Sequence, residues 1–186
     1  LVEGLATLGP VTYQKPVQTG CVAGPSGLRA PDFDMVAQSG AFPLEQYEWH
    51  VPYRYVPACS PHLAAEEAGE RIELEAIIQR MQRLSPEYGY LVAEGAGGLM
   101  VPLRSELSTL DLIRASGLDV LVVTSPRLGT LNHTFLTLEV LRHGGLAPAG
   151  VVLNNHSNLP EDAVYRDNRA MIAARCAPAA FVEVGY

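Results

Sequence analysis

The sequence predicts an α/β domain built on a doubly wound, mostly parallel sheet with helices on both faces. Three short β-branched runs, YLVAEG (90–95), DVLVVTS (119–125) and AGVVLNN (149–155), are apolar on both faces, as parallel strands covered by helices should be. Segments with helical spacing alternate with them. The 186 residues are enough for one domain with a real core, so a single domain is expected over 1–186.

In chain order, Gly4 to Leu8 reads as the tail of a helix and PVTYQK (10–15) as a strand. After a polar loop, DFDMVAQ (32–38) is a short helix, and the aromatic- and proline-rich stretch 40–59 is expected to be irregular. Ser60-Pro61 supplies an N-cap and a first-turn proline for a helix through about Glu67. In ELEAIIQRMQRL, Leu74, Ile77, Ile78, Met81 and Leu84 fall at helical spacing. Further helices are expected over 109–116, over 130–143 with Leu131, Phe135, Leu138 and Leu141 on one face, and over 161–175. A last strand, AFVEV (180–184), closes the series.

Composition narrows the function classes. Apolar residues make up 48% and charged residues 18%, which fits a folded globule. A formal net charge of −7 argues against nucleic acid or an anionic membrane surface as the main partner. No apolar run approaches the roughly 20 residues of a membrane span, and LVEGLATLGP lacks the basic start of a signal peptide. Cys21, Cys59 and Cys176 are scattered, without CxxC spacing, and read as reduced thiols of a cytoplasmic protein.

In open α/β sheets, ligands gather beyond the carboxyl ends of the strands. Four segments place polar residues there: Lys15 to Thr19, Glu94 to Gly98, Thr124 to Thr130, and Asn154–Asn155. Lys15 is the only lysine among 13 basic residues, a mobile point charge suited to phosphate, carboxylate or carbamate. Glu94 ends an apolar run and precedes Gly95, Ala96 and Gly97, where a carboxylate can hold magnesium beside phosphates and glycines let backbone approach a ligand. Thr130 is placed to cap a helix whose first amides favour an anion. Each feature also has a bland reading: a solvated strand-end glutamate, an ordinary capped helix, a surface lysine. Asp34 in PDFD is by itself a helix cap or surface charge, and Asn154–Asn155 reads a base edge or merely makes a turn.

Taken together, KPVQTG, the acidic start of the short helix, CSPHLAAEEAGERI, VAEGAGGLMVPL, RLGTLNHTFLTLEVL and AGVVLNN resemble the dethiobiotin synthetase family, in order and over nearly the whole chain. The resemblance implies a P-loop NTPase-like fold and a homodimer. It also implies an ATP- and Mg2+-dependent closure of the ureido ring of dethiobiotin from 7,8-diaminopelargonic acid and CO2. It makes Lys15 the catalytic ammonium and Thr19 a substrate contact. Asp34 and Glu94 become metal and nucleotide contacts, Gly95, Ala96 and Gly97 line the phosphates, and Asn154 with Asn155 reads adenine. Thr130, Leu131 and Asn132 would receive the substrate carboxylate from the neighbouring subunit. Related alternatives are a non-catalytic binding or regulatory relative, and the synthetase-like domain of a cobyric-acid-type amidotransferase or of a phosphotransacetylase. The family opens with a strand and a GxxxxGK[ST] phosphate loop, which this sequence lacks; Lys15, followed by Pro16, is not that loop's lysine. An incomplete chain is therefore expected, short also after FVEVGY, with weak ATP binding and little turnover for residues 1–186 alone.

Overall fold

The computed structural model describes residues 1–42 and 46–185. Two compact units form, Leu1–Ser116 and Gly117–Tyr186; among the described residues the first carries four two-stranded sheets and the second one three-stranded sheet, each with helices. The α/β class expected from the sequence holds, with parallel strand pairs in both units.

In the first unit, α1 (Val2–Ala6) leads into β1 (Val11–Gln14). All four β1 residues are buried, as an interior parallel strand requires. The short β2 (Val17–Gln18) and the hairpin of β3 (Val22–Gly24) with β4 (Gly27–Arg29) follow. Helix α2 (Pro31–Ala37) begins with proline at a first-turn position, where its missing N–H costs nothing. Within the stretch expected to be irregular lie a helical turn, α3 (Tyr47–His50), and β5 (Tyr53–Arg54), which pairs with β2. Pro43, Leu44 and Glu45 of that stretch lie outside the described residues.

Helix α4 (Pro61–Glu67) starts at the expected Ser60 N-cap, whose extended backbone ends the preceding loop. Helix α5 (Leu74–Leu84) buries Ile77, Met81 and Leu84, the stripe its spacing foretold. A 3-10 turn (Ser85–Glu87) then delivers β6 (Tyr90–Ala93), and the small pair β7 (Pro102–Arg104) and β8 (Leu107–Ser108) precedes α6 (Thr109–Ser116). The unit's centre is aromatic. Phe33 stacks on Tyr13 with centroids 6.0 Å apart and meets Tyr47 edge-on at 5.0 Å. The buried rings of Tyr13 and Phe33 contribute about 1.5–3 kcal/mol each, with somewhat more from the ring geometry.

The second unit is a parallel sheet in the order β11–β10–β9, made of β9 (Val120–Thr124), β10 (Pro148–Asn154) and β11 (Ala180–Val184). Helix α7 (Thr130–His143) matches the expected span, and α8 (Ala163–Cys176) begins at Asp162, whose carboxylate accepts from the Tyr165 amide. The expectation that the runs forming β9 and β10 are covered on both faces is corrected here, and β11 is no more covered than they are. Val122, Val151 and Leu153 are buried on one side together with Leu141 and Ile172 of the helices, whereas Leu121, Val123, Val182 and Val184 alternate to the other side and are exposed. Among the described residues no helix is long and apolar enough to cross a membrane.

Candidate active site

The site in the first unit is set by strand register. Strands β1 and β6 run parallel with Gln14 opposite Ala93, and the Glu94 amide donates to the Gln14 carbonyl at 2.9 Å. Lys15 and Glu94 therefore leave adjacent strands at the same level. On the other flank, the Lys15 amide donates to the His50 carbonyl at 2.8 Å, and the Gln14 side-chain amide donates to the Trp49 carbonyl at 2.9 Å. The end of α3 thus fixes the backbone that presents the lysine.

Lys15 is buried, with its side chain 5% exposed, and Nζ donates to Glu94 Oε1 at 2.6 Å and Asp32 Oδ2 at 2.8 Å. The second oxygen of Glu94 accepts from the Tyr13 hydroxyl at 2.9 Å. Hydrogen bonding to the Lys15 ammonium holds the Asp32 carboxyl below the usual range, against the opposing pull of desolvation. Burial, and then the charge of Glu94, push the Tyr13 phenol far above its ordinary value.

Lys15 and Asp32 line a cavity of about 340 Å3 together with Gln18 and Thr19, the Cys59–Pro61 turn, and Ala96, Gly97 and Val101. Gly97 shapes its floor: φ is +85°, and a Cβ there would stand 2.9 Å from Val101 Cγ2. A side chain at position 97 would be strained twice over.

Of the residues singled out from the sequence, Lys15, Thr19, Ala96 and Gly97 line this cavity, while Glu94 is tied to it through Lys15. The Gly95 carbonyl lies 3.5 Å from Lys15 Nζ. Asp34 goes elsewhere. Its oxygens accept from Arg29 Nε and Nη2 at 2.9 and 2.7 Å and from the Tyr47 hydroxyl at 2.9 Å. The acidic side chain beside Lys15 is that of Asp32, not Asp34. Asp32 and Glu94 side chains are 50% and 53% exposed, unlike Lys15 between them. Asp32 and Glu94 are the carboxylates that would hold a hard divalent cation such as Mg2+. Among the described residues no group of three or more His, Cys, Asp and Glu side chains converges in this way.

The other expected residues belong to the second unit. Thr130 opens α7 but does not cap it; the N-cap is Gly129, at φ +93°. The Thr130 hydroxyl is buried instead against Thr124 Oγ1 at 2.6 Å, and Thr124 also meets Thr134 at 2.6 Å. Leu131 and Asn132 follow in the first turn. Asn155 spends its side chain on its own loop: Nδ2 donates to the Leu159 carbonyl at 2.9 Å, and Oδ1 accepts from the Leu159 amide at 2.8 Å. Asn154 ends β10. Sequence reasoning passed over Asp32 and Tyr13. Tyr13 was within reach, because residues two apart on a strand share a face and Lys15 lies two positions on.

A cavity edged by a buried ammonium, the Asp32 carboxylate and a glycine turn, on a parallel α/β frame, fits the class of nucleotide-dependent enzymes. An AAA-domain family model matches residues 1–177. The ATP-dependent dethiobiotin synthetase BioD of Nitrosospira multiformis is 37% identical over 169 residues, 90% of this chain and 72% of that protein. Its namesake in Chromohalobacter salexigens is 36% identical over 177 residues, 91% of this chain and 73% of that one. The Anaeromyxobacter dehalogenans protein of the same name is 40% identical over 150 residues, 80% of this chain but 63% of its own length. The chain belongs to the ATP-dependent dethiobiotin synthetase family.

Proposed function

We propose that the protein closes the ureido ring of dethiobiotin from 7,8-diaminopelargonic acid and CO2 at the expense of ATP, within biotin synthesis. One substrate amine adds to CO2, loses a proton and becomes a carbamate. A carbamate oxygen attacks the γ-phosphorus of ATP and ADP departs, leaving a carbamic-phosphoric anhydride. The second amine attacks the carbonyl carbon, phosphate leaves, and loss of a proton completes the ring. Little covalent work falls to the chain; placement and charge neutralisation carry the rate.

Lys15 supports this reading most directly. Its ammonium is buried, immobilised by two carboxylates and turned to the cavity, where it meets carbamate and transferring phosphoryl oxygens without paying for reorganisation. Thr19, on the same wall, is assigned the substrate contact, and Gly95, Ala96 and Gly97 the phosphate side. Asp32 and Glu94 are the residues that would hold Mg2+, which supplies charge neutralisation for the phosphates. Asn154 is assigned the adenine, since Asn155 is occupied in its loop. Thr130 is buried, so the substrate carboxylate is left to the helix start at Leu131 and Asn132 of a neighbouring subunit in a homodimer.

The test is a turnover assay on the protein expressed from its complete gene, with diaminopelargonic acid, bicarbonate and Mg·ATP. Dethiobiotin and phosphate are expected in equal amounts by mass spectrometry and phosphate release. ATP cleavage without dethiobiotin, or neither, would overturn the assignment.

A further inference from the structure

We propose that Tyr13 is a positioning residue that sets the Glu94 carboxylate for the divalent cation; this rests on the reading above. Glu94 gives one oxygen to each of two donors, Oε1 to Lys15 Nζ at 2.6 Å and Oε2 to the Tyr13 hydroxyl at 2.9 Å. A half-exposed carboxylate on a flexible stem samples several rotamers, but one held at both oxygens keeps one orientation.

The hydroxyl itself is immobile. Tyr13 is 2% exposed, its ring lies on Phe33 at 6.0 Å and 19°, and its carbonyl meets His50 Nδ1 at 2.7 Å. Phe33 follows Asp32 in the chain, so one aromatic stack steadies both acids: Glu94 through the phenol, and Asp32 through the first turn of α2. A tyrosine that merely rounded off the core needs any acceptor for its hydroxyl. Here the acceptor is Glu94, the carboxylate that also accepts from the cavity-lining Lys15, and partners of that kind tune the affinity of a carboxylate for a metal.

The probe is Mn2+ alone, followed by the electron paramagnetic resonance signal of the free ion, so no turnover is needed. Tyr13→Phe keeps ring and stack and removes one hydroxyl. The expected result is a Kd for Mn2+ raised about tenfold with the fold unchanged by circular dichroism. In a Glu94→Gln background the same change should have no further effect, because the carboxylate it orients is gone. In the assay, the Mg2+ concentration for half-maximal rate should rise by a similar factor while kcat at saturating Mg2+ recovers to within about twofold.

Unchanged Mn2+ binding, an equal loss in the Glu94→Gln background, an unfolded Tyr13→Phe protein, or a wild type that binds no Mn2+ would each overturn the proposal. A Mn2+ series as expected with no dethiobiotin formed keeps Tyr13 and removes the proposed reaction. Dethiobiotin formation with an unaltered Mn2+ series removes Tyr13 alone.

Discussion

In the first unit, Lys15, Asp32, Glu94 and Tyr13 turn their polar ends toward one another, and Lys15 and Asp32 line a cavity. In the second, Thr124, Thr130 and Thr134 share buried hydroxyl contacts, and Asn155 closes its loop on Leu159. Both regions lie where parallel strands end, and both are polar. The difference is charge. A buried ammonium facing two half-open carboxylates presents fixed charges beside which a phosphate and a cation can be placed. Neutral hydroxyls and an amide already bonded in closed pairs carry no net charge to offer; they fix their own loops.

The sharpest way to break this comparison is Lys15→Ala. If the first region works by charge, turnover should fall about 10²- to 10³-fold, the loss seen when one pre-set electrostatic donor is removed. Folding should survive, because the two carboxylates left behind are half exposed and water can reach them. Wild-type turnover in steady-state assays would reduce Lys15 to a structural cation.

The two aspartates of α2 give a second contrast within the first region. Asp32→Asn should cost about 10- to 100-fold in Mg2+ affinity and little in melting midpoint. Asp34→Asn should do the reverse, lowering stability by about 1–3 kcal/mol through the loss of the Arg29 pair while leaving Mg2+ dependence unchanged. Thermal melts and Mg2+ titrations of both variants separate the two roles, and an activity loss in Asp34→Asn alone would return that residue to the site.

That contrast marks where sequence reasoning stops. Helix α7 was legible to the residue because its apolar face repeats over four turns. Strand β1, the glycine turn and the sole lysine were legible because composition and order are local. Asp32 against Asp34 was not. Both occupy the first turn of one helix, about 200° apart around its axis, and what decides between them is Arg29 and Tyr47, contacts made only after the hairpin and α3 have folded. The two- and three-residue strands β2, β3, β4, β5, β7 and β8 were missed for a related reason: too short for any period, they exist because a distant partner supplies their hydrogen bonds. The bare face of β9 and β11 carries the same apolar residues that a covered face would, so no pattern in the sequence separates the two.

In the second region the effects should be smaller and confined to stability. Thr134→Val removes one hydroxyl from the shared contact with Thr124 and should cost about 1 kcal/mol, read as a lower melting midpoint with Mg2+ dependence unchanged. A change in Mg2+ affinity would mean the hydroxyls reach beyond their own unit's loops.

The smallest effect is a pH slope. Asp32 has a folded pKa below its ordinary value of 3.8, mainly because Lys15 hydrogen-bonds the ionised form. A depressed carboxyl stabilises the fold above its unfolded pKa, and that contribution disappears as pH falls through the lower, folded value. Between about pH 5 and 8 Asp32 should therefore add no slope to the melting midpoint, and the decline should begin only below about pH 4. Solvent around the half-exposed carboxylate keeps the effect small. Asp32→Asn should flatten this acid limb, whereas Thr134→Val should lower the whole curve without changing its shape, since a hydroxyl takes up no proton. An Asp32→Asn curve parallel to wild type would show that the Lys15 pair contributes nothing to the fold, leaving its charge wholly to ligand binding.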